Sequence, residues 1–449
     1  MTAAPDVETG ARRRAARLRG SRWIVLLAAV ALVRSVTFAA LIPAYRSSDE
    51  PWHLDYARAL SEGTLPVLGQ TLADPEIVAD HRSVADGLGL AAHGLDGPRP
   101  ASREAFQPPL AYVVPAAGYL VAEGPRAGLW AFRWINALWG AAAVVLAALL
   151  GRRAFPRRGS AAVLPCVVAV TLPAVVAVTS TANNDAPLLG VSLAVLTGAV
   201  LAVRGGGGAR VAVLLGVGVA LAGLVKASGL LLLGPVVLAW ALAPLPGRIR
   251  WRRSLVSVGV AGALVAPWLV RNLRVYDSLL GTAAFAPFDP VPGSAIGGWR
   301  LLLGADPGHP LADPFWPELW RTTVGVFGWA DVPLPGWAYV LSLVVAVAAV
   351  VRSAWWYAGR PTQVPDAAVA ADQRAALVLL SLLPVLVAAT VWFAFTVDYQ
   401  PQGRYLLPGV LAAAPVVGAG LGRRGLATVG VVGVALLAGA AWTVGQAYA

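Results

Sequence analysis

Three carboxylates and one imidazole crowd into SSDEPWHLDYARAL, residues 47–60, directly behind the first long apolar run of the chain. Asp49, Glu50 and Asp55 are three of only 23 acids in 449 residues, so their concentration needs a reason. A carboxylate held where a helix begins can act as general base on a hydroxyl group. Pro51 suits the first turn of such a helix. His53 falls one turn after Asp49, where it could orient that acid or share a metal with it. Two adjacent carboxylates repel, so one of the pair is expected to hold its proton more tightly. A plainer reading fits the same letters. The acids favour a positive helix end, and Trp52, Tyr56 and Leu60 share one face of an amphipathic helix lying at a membrane interface. A zinc-protease signature is absent, because DEPWH lacks the first histidine of HExxH.

Four further groups stand where charge is expensive. Lys226 is the only lysine among 35 basic residues and sits in LVKASGLLLL, between two apolar runs. It is either a cation for a phosphate, with Ser228 and Gly229 letting backbone N–H groups approach, or a snorkelling side chain at a span end. Arg404 in DYQPQGRYLLP and Arg271 in PWLVRN could each grip a phosphate through a bidentate guanidinium, or pair with Asp398 and Asp277. Asp185 in STANNDAPLLG opens an apolar run, as a helix cap or as a site acid. Trp299, Trp316, Trp320, Trp329 and Trp337 could stack on sugar rings or form an interfacial aromatic belt.

The elements that must position these groups are membrane helices. The chain is 58% hydrophobic and 13% charged, with a mean hydropathy of +0.68, which excludes an ordinary soluble protein. The net charge of +12 would suggest nucleic acid in a soluble chain. Here the arginines lie between apolar runs, so they read as topology signals and lipid-headgroup contacts, with no nucleic-acid partner. The lone Cys166 permits no disulfide framework. Residues 1–21 form a basic cytoplasmic end, and the apolar run after them reads as a retained signal anchor. Composition points to a GC-rich bacterium.

Apolar segments fall near residues 22–43, 129–150, 161–180, 186–203, 211–225, 229–245, 254–270, 337–351, 375–397, 406–421 and 425–447. A twelfth, PPLAYVVPAAGYLVA at 108–122, is short and carries three prolines. If it crossed, the arginine clusters at 151–159, 204–210 and 247–253 would all lie outside. If it lies at the interface, all three are cytoplasmic, as the positive-inside rule requires. The expected architecture is therefore all-α: about eleven spans, a module of residues 22–270 containing a first outer loop at 44–128, a second outer loop at 271–336, and C-terminal spans at 337–449. In this topology Asp49, His53, Asp185, Lys226, Arg271 and Arg404 emerge on one face.

Taken in order, these pieces resemble the GT-C glycosyltransferases, polytopic enzymes that take a sugar from a polyprenyl-phosphate carrier on the outer face. SSDEPWHLDYARAL resembles the acidic motif of their first outer loop, FQPPLAYVV their Pro-Pro-Leu-x-Tyr juxtamembrane helix, and STANNDAPL stands where a second acidic motif usually sits. LVKASGL, PWLVRN, FGWADVPLPGWAYV and QGRYLLP are similar to a bacterial membrane-protein branch of that superfamily. NND departs from the usual DxD or ExD pattern. The resemblance implies that Asp49 is the base-like carboxylate, with Lys226 and Arg404 at the carrier phosphate. The candidate site is then catalytic Asp49 and Glu50, donor-phosphate contacts Lys226, Arg404 and Arg271, and supporting His53, Asp185 and Tyr405. The resemblance leaves open a divalent cation and whether the acceptor is a glycan, a lipid or a protein. The implied activity is an inverting transfer in cell-envelope synthesis, at the outer face of the bacterial plasma membrane. A secondary transporter or lipid-linked-sugar flippase and a non-catalytic envelope-assembly subunit are the alternatives.

Overall fold

The computed structural model describes residues 7–95, 100–284, 314–359 and 367–449. Among the described residues it is a bundle of α-helices, with one short hairpin pairing Val326–Phe327 and Val332–Pro333. The first part contains α1 (Val7–Leu41), α2 (Glu50–Ser61), α3 (Pro75–Gly87) and α4 (Leu110–Leu120). Next come α5 (Pro125–Ala154), α6 (Gly159–Thr171), α7 (Pro173–Ser180) and α8 (Asp185–Val203). They are followed by α9 (Ala209–Val225), α10 (Leu233–Leu242), α11 (Gly247–Tyr276) and α12 (Phe315–Val324). The last four are α13 (Gly336–Ala358), α14 (Ala367–Thr396), α15 (Leu407–Gly420) and α16 (Arg423–Tyr448).

Every apolar segment expected to span falls on one of these helices, the segment 161–180 being divided between α6 and α7, but the count of eleven is not reached by length. Seven helices are long and apolar enough to cross, and α6 with α7 makes an eighth if the pair, bent by 61°, is one span. The bend sits at Pro173, which lacks an N–H for the helix ladder and forces Leu172 into an extended conformation. Lys226, likewise extended, separates α9 from the 3₁₀ turn Ala227–Leu232 that leads into α10. Helix α4 has 11 residues and rises about 16 Å, roughly half of a ~30 Å hydrocarbon core. It cannot cross by itself.

Most charge sorts to the two ends of the bundle, while Arg34 of α1 is buried between them, donating to the carbonyls of Ala169 and Val170. At one end Arg152 stacks on Trp23, Arg158 on Trp356, and Arg204 meets Asp372 at 2.8 Å. The acids of the opening motif lie at the other. There residues 44–128 fold into α2, α3 and α4, so α2 is not an interfacial helix. Trp52 is 1% exposed and Tyr56 fully buried, its ring stacked 4.0 Å from that of Tyr112 on α4. An apolar helix face records only that it meets something apolar; here the partner is the loop's own later half rather than lipid. In the second loop, Trp299 lies outside the described residues. Trp316 and Trp337 are exposed, Trp320 donates to the Tyr339 carbonyl and Trp329 to that of Tyr45. Helix α11 continues through Arg271 to Tyr276, past the boundary expected at residue 270.

Candidate active site

The two adjacent acids point in different directions. Glu50, fully buried, takes a fork from Arg133 of α5, with Nε to Oε1 at 2.8 Å and Nη2 to Oε2 at 2.6 Å. Its oxygens also accept from the backbone N–H groups of Tyr45 and Ala182. Arg133 directs its remaining donors to the carbonyls of Ala39, Ile42 and Pro43. All five guanidinium N–H groups are thereby used, and the last turn of α1 receives partners for carbonyls that a helix end leaves orphaned. This pair joins α1, α2, α5 and the chain before α8. It is the frame on which the site is built.

Asp49 is left free by that arrangement. It is the N-cap residue of α2, yet its side chain makes no capping bond, and its backbone adopts the left-handed region with φ 64°. That conformation is costly for most side chains and tolerated by Asp. It sends the carboxylate away from Glu50, so the expected repulsion between neighbours is relieved by geometry. Asp49 Oδ2 instead accepts from Arg404 Nη2 at 2.8 Å, and its side chain stays 29% exposed. Burial by itself would raise its proton affinity. Arg404, with help from neighbouring Lys226, outweighs burial and holds the carboxyl below its ordinary range.

The NND stretch divides its labour. Asn183 Oδ1 accepts from the N–H groups of Asp185 and Ala186, so it caps α8. Asn184 reaches the Tyr112 hydroxyl at 3.4 Å. Asp185 is thus released from capping, and its Oδ1 meets Lys226 Nζ at 2.5 Å. Its Oδ2 lies 3.6 Å from Arg404 Nε, and neither of those two buried atoms makes a hydrogen bond among the described residues. Beneath the cations lies Tyr405, with Lys226 Nζ 4.8 Å and the Arg404 guanidinium 5.5 Å from its ring centre. Gly403 lets the turn that carries Arg404 and Tyr405 pack directly on α12, because a Cβ there would collide with the backbone of Thr323. Arg404 pairs with Asp49 and Asp185 rather than with Asp398, and Lys226 is no snorkelling residue.

Arg271 is not brought into this cluster. It donates to the Pro66 carbonyl and stacks on Trp268 and Tyr276. Asp55, the third acid of the opening motif, accepts from the backbone of Asp74 and fastens α2 to the start of α3. Glu104 was missed in the sequence. It lies in the 3₁₀ turn Arg103–Phe106, buried, with Oε2 unpartnered and 4.0 Å from His53 Nδ1. Burial, reinforced by Asp49, pushes its carboxyl up to about 8. Nothing in SREAFQ marks it, because its burial depends on α2 and on residues far along the chain.

His53 is held down to about 3, chiefly by burial, so it is neutral, and its Nδ1 bonds the Tyr112 hydroxyl at 2.8 Å. Asp49, His53 and Glu104 place candidate ligand atoms within 4.8 Å of one another. As a cation cradle the set fits poorly. Arg404 engages one oxygen of Asp49 and Tyr112 one nitrogen of His53, and the cations Arg404 and Lys226 already balance the acids Asp49 and Asp185.

Glu104 carries a pH prediction. Its folded affinity lies above the ordinary 4.5, so the unfolded chain sheds this proton first as pH rises. Stability from this group is complete below about pH 4.5 and is lost towards pH 8. Glu104→Gln, locked neutral, is expected to melt near wild type at pH 4.5 and several degrees higher at pH 8.5. Parallel melting curves for the two proteins would contradict the burial.

Residues 107–270, from just before α4 through most of α11, match the family model described as dolichyl-phosphate-mannose-protein mannosyltransferase. No curated protein sequence matches the chain. Among solved structures, ArnT from Cupriavidus metallidurans bound to undecaprenyl phosphate is 18% identical with a TM-score of 0.55, over 93% of this chain and 64% of ArnT. Its apo state is 18% identical with a TM-score of 0.50, over 92% and 62%. The apo oligosaccharyltransferase of Archaeoglobus fulgidus is 12% identical with a TM-score of 0.50, over 95% of this chain and 56% of that one. The chain thus spans less than two thirds of each of these proteins. It is a multi-pass membrane protein with the GT-C glycosyltransferase fold, the superfamily its motifs resemble.

Proposed function

We propose that the protein moves a sugar from a polyprenyl-phosphate carrier to an acceptor hydroxyl, at the outer face of a bacterial plasma membrane. The observation that carries this reading is the chain Asp49–Arg404–Asp185–Lys226 at one end of the helix bundle. It combines a partly exposed carboxylate with two cations, and Arg404 Nε still lacks an acceptor. A phosphate oxygen supplies one. ArnT, with the same fold, has been solved with undecaprenyl phosphate bound, which supports a lipid-borne phosphate as the anion.

The ion pair between Asp49 and Arg404 then acquires a role. A carboxylate bonded to a guanidinium is a weak base. When the carrier phosphate draws Arg404 to itself, Asp49 loses the charge that depresses its proton affinity and becomes a stronger one. Asp49 takes the proton of the acceptor hydroxyl as that oxygen attacks the anomeric carbon from the face opposite the phosphate. The bond from carbon to phosphate oxygen breaks, the configuration inverts, and the polyprenyl phosphate leaves with its charge met by Arg404 and Lys226. Asp49 releases the proton to solvent. In this reading the acceptor is an envelope glycan, a lipid or a protein.

Lys226→Ala tests the phosphate contact. It is expected to lower kcat/KM for the carrier by about 10²–10³, with the largest loss at low carrier concentration. The assay is transfer by purified protein across a carrier titration, repeated with chelator and with added divalent cation. Kinetics unchanged over that range would reduce Lys226 to an anchor. Carrier binding without turnover on any sugar or acceptor would favour an assembly subunit.

A further inference from the structure

The chain reaches Asp49 through costly backbone conformations. Four residues other than glycine have positive φ among the described residues, and three of them belong to two segments bonded to each other: Tyr45 at 61°, Asp49 at 64° and, in the hairpin tip, Ala330 at 66°. A left-handed tyrosine is a genuine outlier, and it persists only where its surroundings over-determine it. Glu50 supplies part of that restraint, since its Oε2 accepts from Tyr45 N–H at 3.0 Å. The rest comes from residues 328–331, the tip of the hairpin. We propose that this tip clamps residues 45–48 and thereby aims Asp49, with Trp329 and Asp331 as positioning residues for the transfer. This role rests on the reading of Asp49 as the base.

Three of the four residues before Asp49 are tied to the tip. The Tyr45 carbonyl accepts from Trp329 Nε1 at 2.9 Å. Arg46, its side chain 2% exposed, donates from Nη2 to Asp331 Oδ2 at 2.6 Å. Ser48 N–H donates to the Gly328 carbonyl at 3.2 Å. Asp331 serves both segments, because its Oδ1 accepts from Trp329 N–H at 2.8 Å and so shapes the tip while Oδ2 holds Arg46. The tip is braced in turn. The Trp329 ring stacks on His81 of α3, with centroids 6.3 Å apart, and on His93 at 5.4 Å. The Arg46 guanidinium also lies 5.8 Å over the ring of Tyr448 in the last turn of α16.

Trp329 and Asp331 hydrogen-bond only to Tyr45, Arg46 and each other among the described residues. They therefore act on Asp49 through the backbone that leads to it. Without the tip, the strained segment relaxes towards ordinary backbone angles, and the Asp49 carboxylate leaves the point where it meets the acceptor hydroxyl. The cations stay in place, because Lys226 follows α9 and Arg404 lies in the turn Gly403–Leu406. A displaced base with intact phosphate contacts costs turnover and spares carrier affinity. A purely structural role would lower stability and leave the rate of the folded protein unchanged.

Trp329→Phe and Asp331→Asn test the clamp in the purified full-length chain. Phe keeps an aromatic ring against the histidines and loses the N–H given to Tyr45; Asn keeps an oxygen for Trp329 N–H and loses the charge opposite Arg46. Amide hydrogen exchange in residues 44–49 is expected to quicken about ten-fold, with 181–187 and 400–406 unchanged. Binding of bare undecaprenyl phosphate should also be unchanged. Transfer from an undecaprenyl-phosphate-linked hexose should lose about 10–10²-fold in kcat at constant KM for the carrier. In an Asp49→Asn background neither substitution should lower the residual rate further. Unaltered exchange in 44–49 overturns the clamp, whether or not the hexose turns over. Wild-type kcat despite faster exchange overturns the positioning role. A loss seen in KM or in bare-carrier binding does the same, as does an equal further loss on top of Asp49→Asn. If Asp331→Asn fails to fold, Trp329→Phe decides alone; if the hexose is no substrate, exchange and bare-carrier binding decide. Asp49→Asn at the wild-type rate instead overturns the base reading, and the clamp's part in transfer falls with it.

Discussion

Replacement of Asp49 by asparagine is expected to lower sugar transfer by roughly 10²–10⁴, with carrier binding retained. Asn has nearly the same shape and tolerates the left-handed backbone that Asp49 adopts at φ 64°. The substitution therefore removes charge and basicity while leaving the chain in place. Arg404 loses one of its two carboxylate partners and becomes freer to meet a phosphate, so affinity for the carrier is expected to hold or rise. The ion pair is partly exposed, so its loss should cost little stability. Initial rates against carrier concentration, with a direct measurement of carrier affinity, separate these effects. Turnover at the wild-type rate would remove Asp49 from the role of base. Unchanged turnover with weakened carrier binding would place it among the phosphate contacts instead.

One residue further on, the expected outcome reverses. Glu50→Ala should cost about 3–5 kcal/mol of stability, because it strands a buried guanidinium without its counter-charge. Arg133 is 2% exposed and Glu50 0%, so water cannot replace the missing partner. Arg133→Met should be comparably harmful, since it strands the carboxylate and leaves the carbonyls of Ala39, Ile42 and Pro43 without donors. Combining an apolar replacement at both positions should recover part of the loss, as the desolvation of two charges disappears with them. Thermal melts of the purified variants measure this directly. Glu50→Ala with a wild-type melting temperature and no transfer would show that this acid acts in the chemistry rather than in the frame. Together the neighbouring substitutions distinguish a reacting group from the scaffold that aims it.

Much of the positioning logic was legible in the residues. Period, hydropathy and arginine placement indicated a helical membrane bundle, and the shortness and prolines of 108–122 indicated a segment that does not cross. Scarcity was also informative. A lone lysine, an arginine before an apolar run and acids at helix starts proved to be spatial neighbours, as Lys226, Arg404, Asp49 and Asp185. Span number was less legible, because α9, α10 and α15 are shorter than a full crossing. Hydropathy reports apolar composition, and it does not report whether a break such as Lys226 or Pro173 divides one crossing or joins two.

The sequence by itself determined the kind of protein and the short roster of groups able to do its chemistry, because burial cost makes charge in such a chain rare wherever it is not needed. Which of those groups face one another was decided only by the tertiary structure. Asp49 and Glu50 are adjacent in sequence, yet one backbone angle sends the first towards Arg404, 355 residues away, and the second into Arg133. Arg271 carries the same charge as Arg404 but faces Pro66. Glu104 becomes a site group only because distant residues bury it. Ion pairing and desolvation depend on distance through space, and a chain read letter by letter contains no such distance.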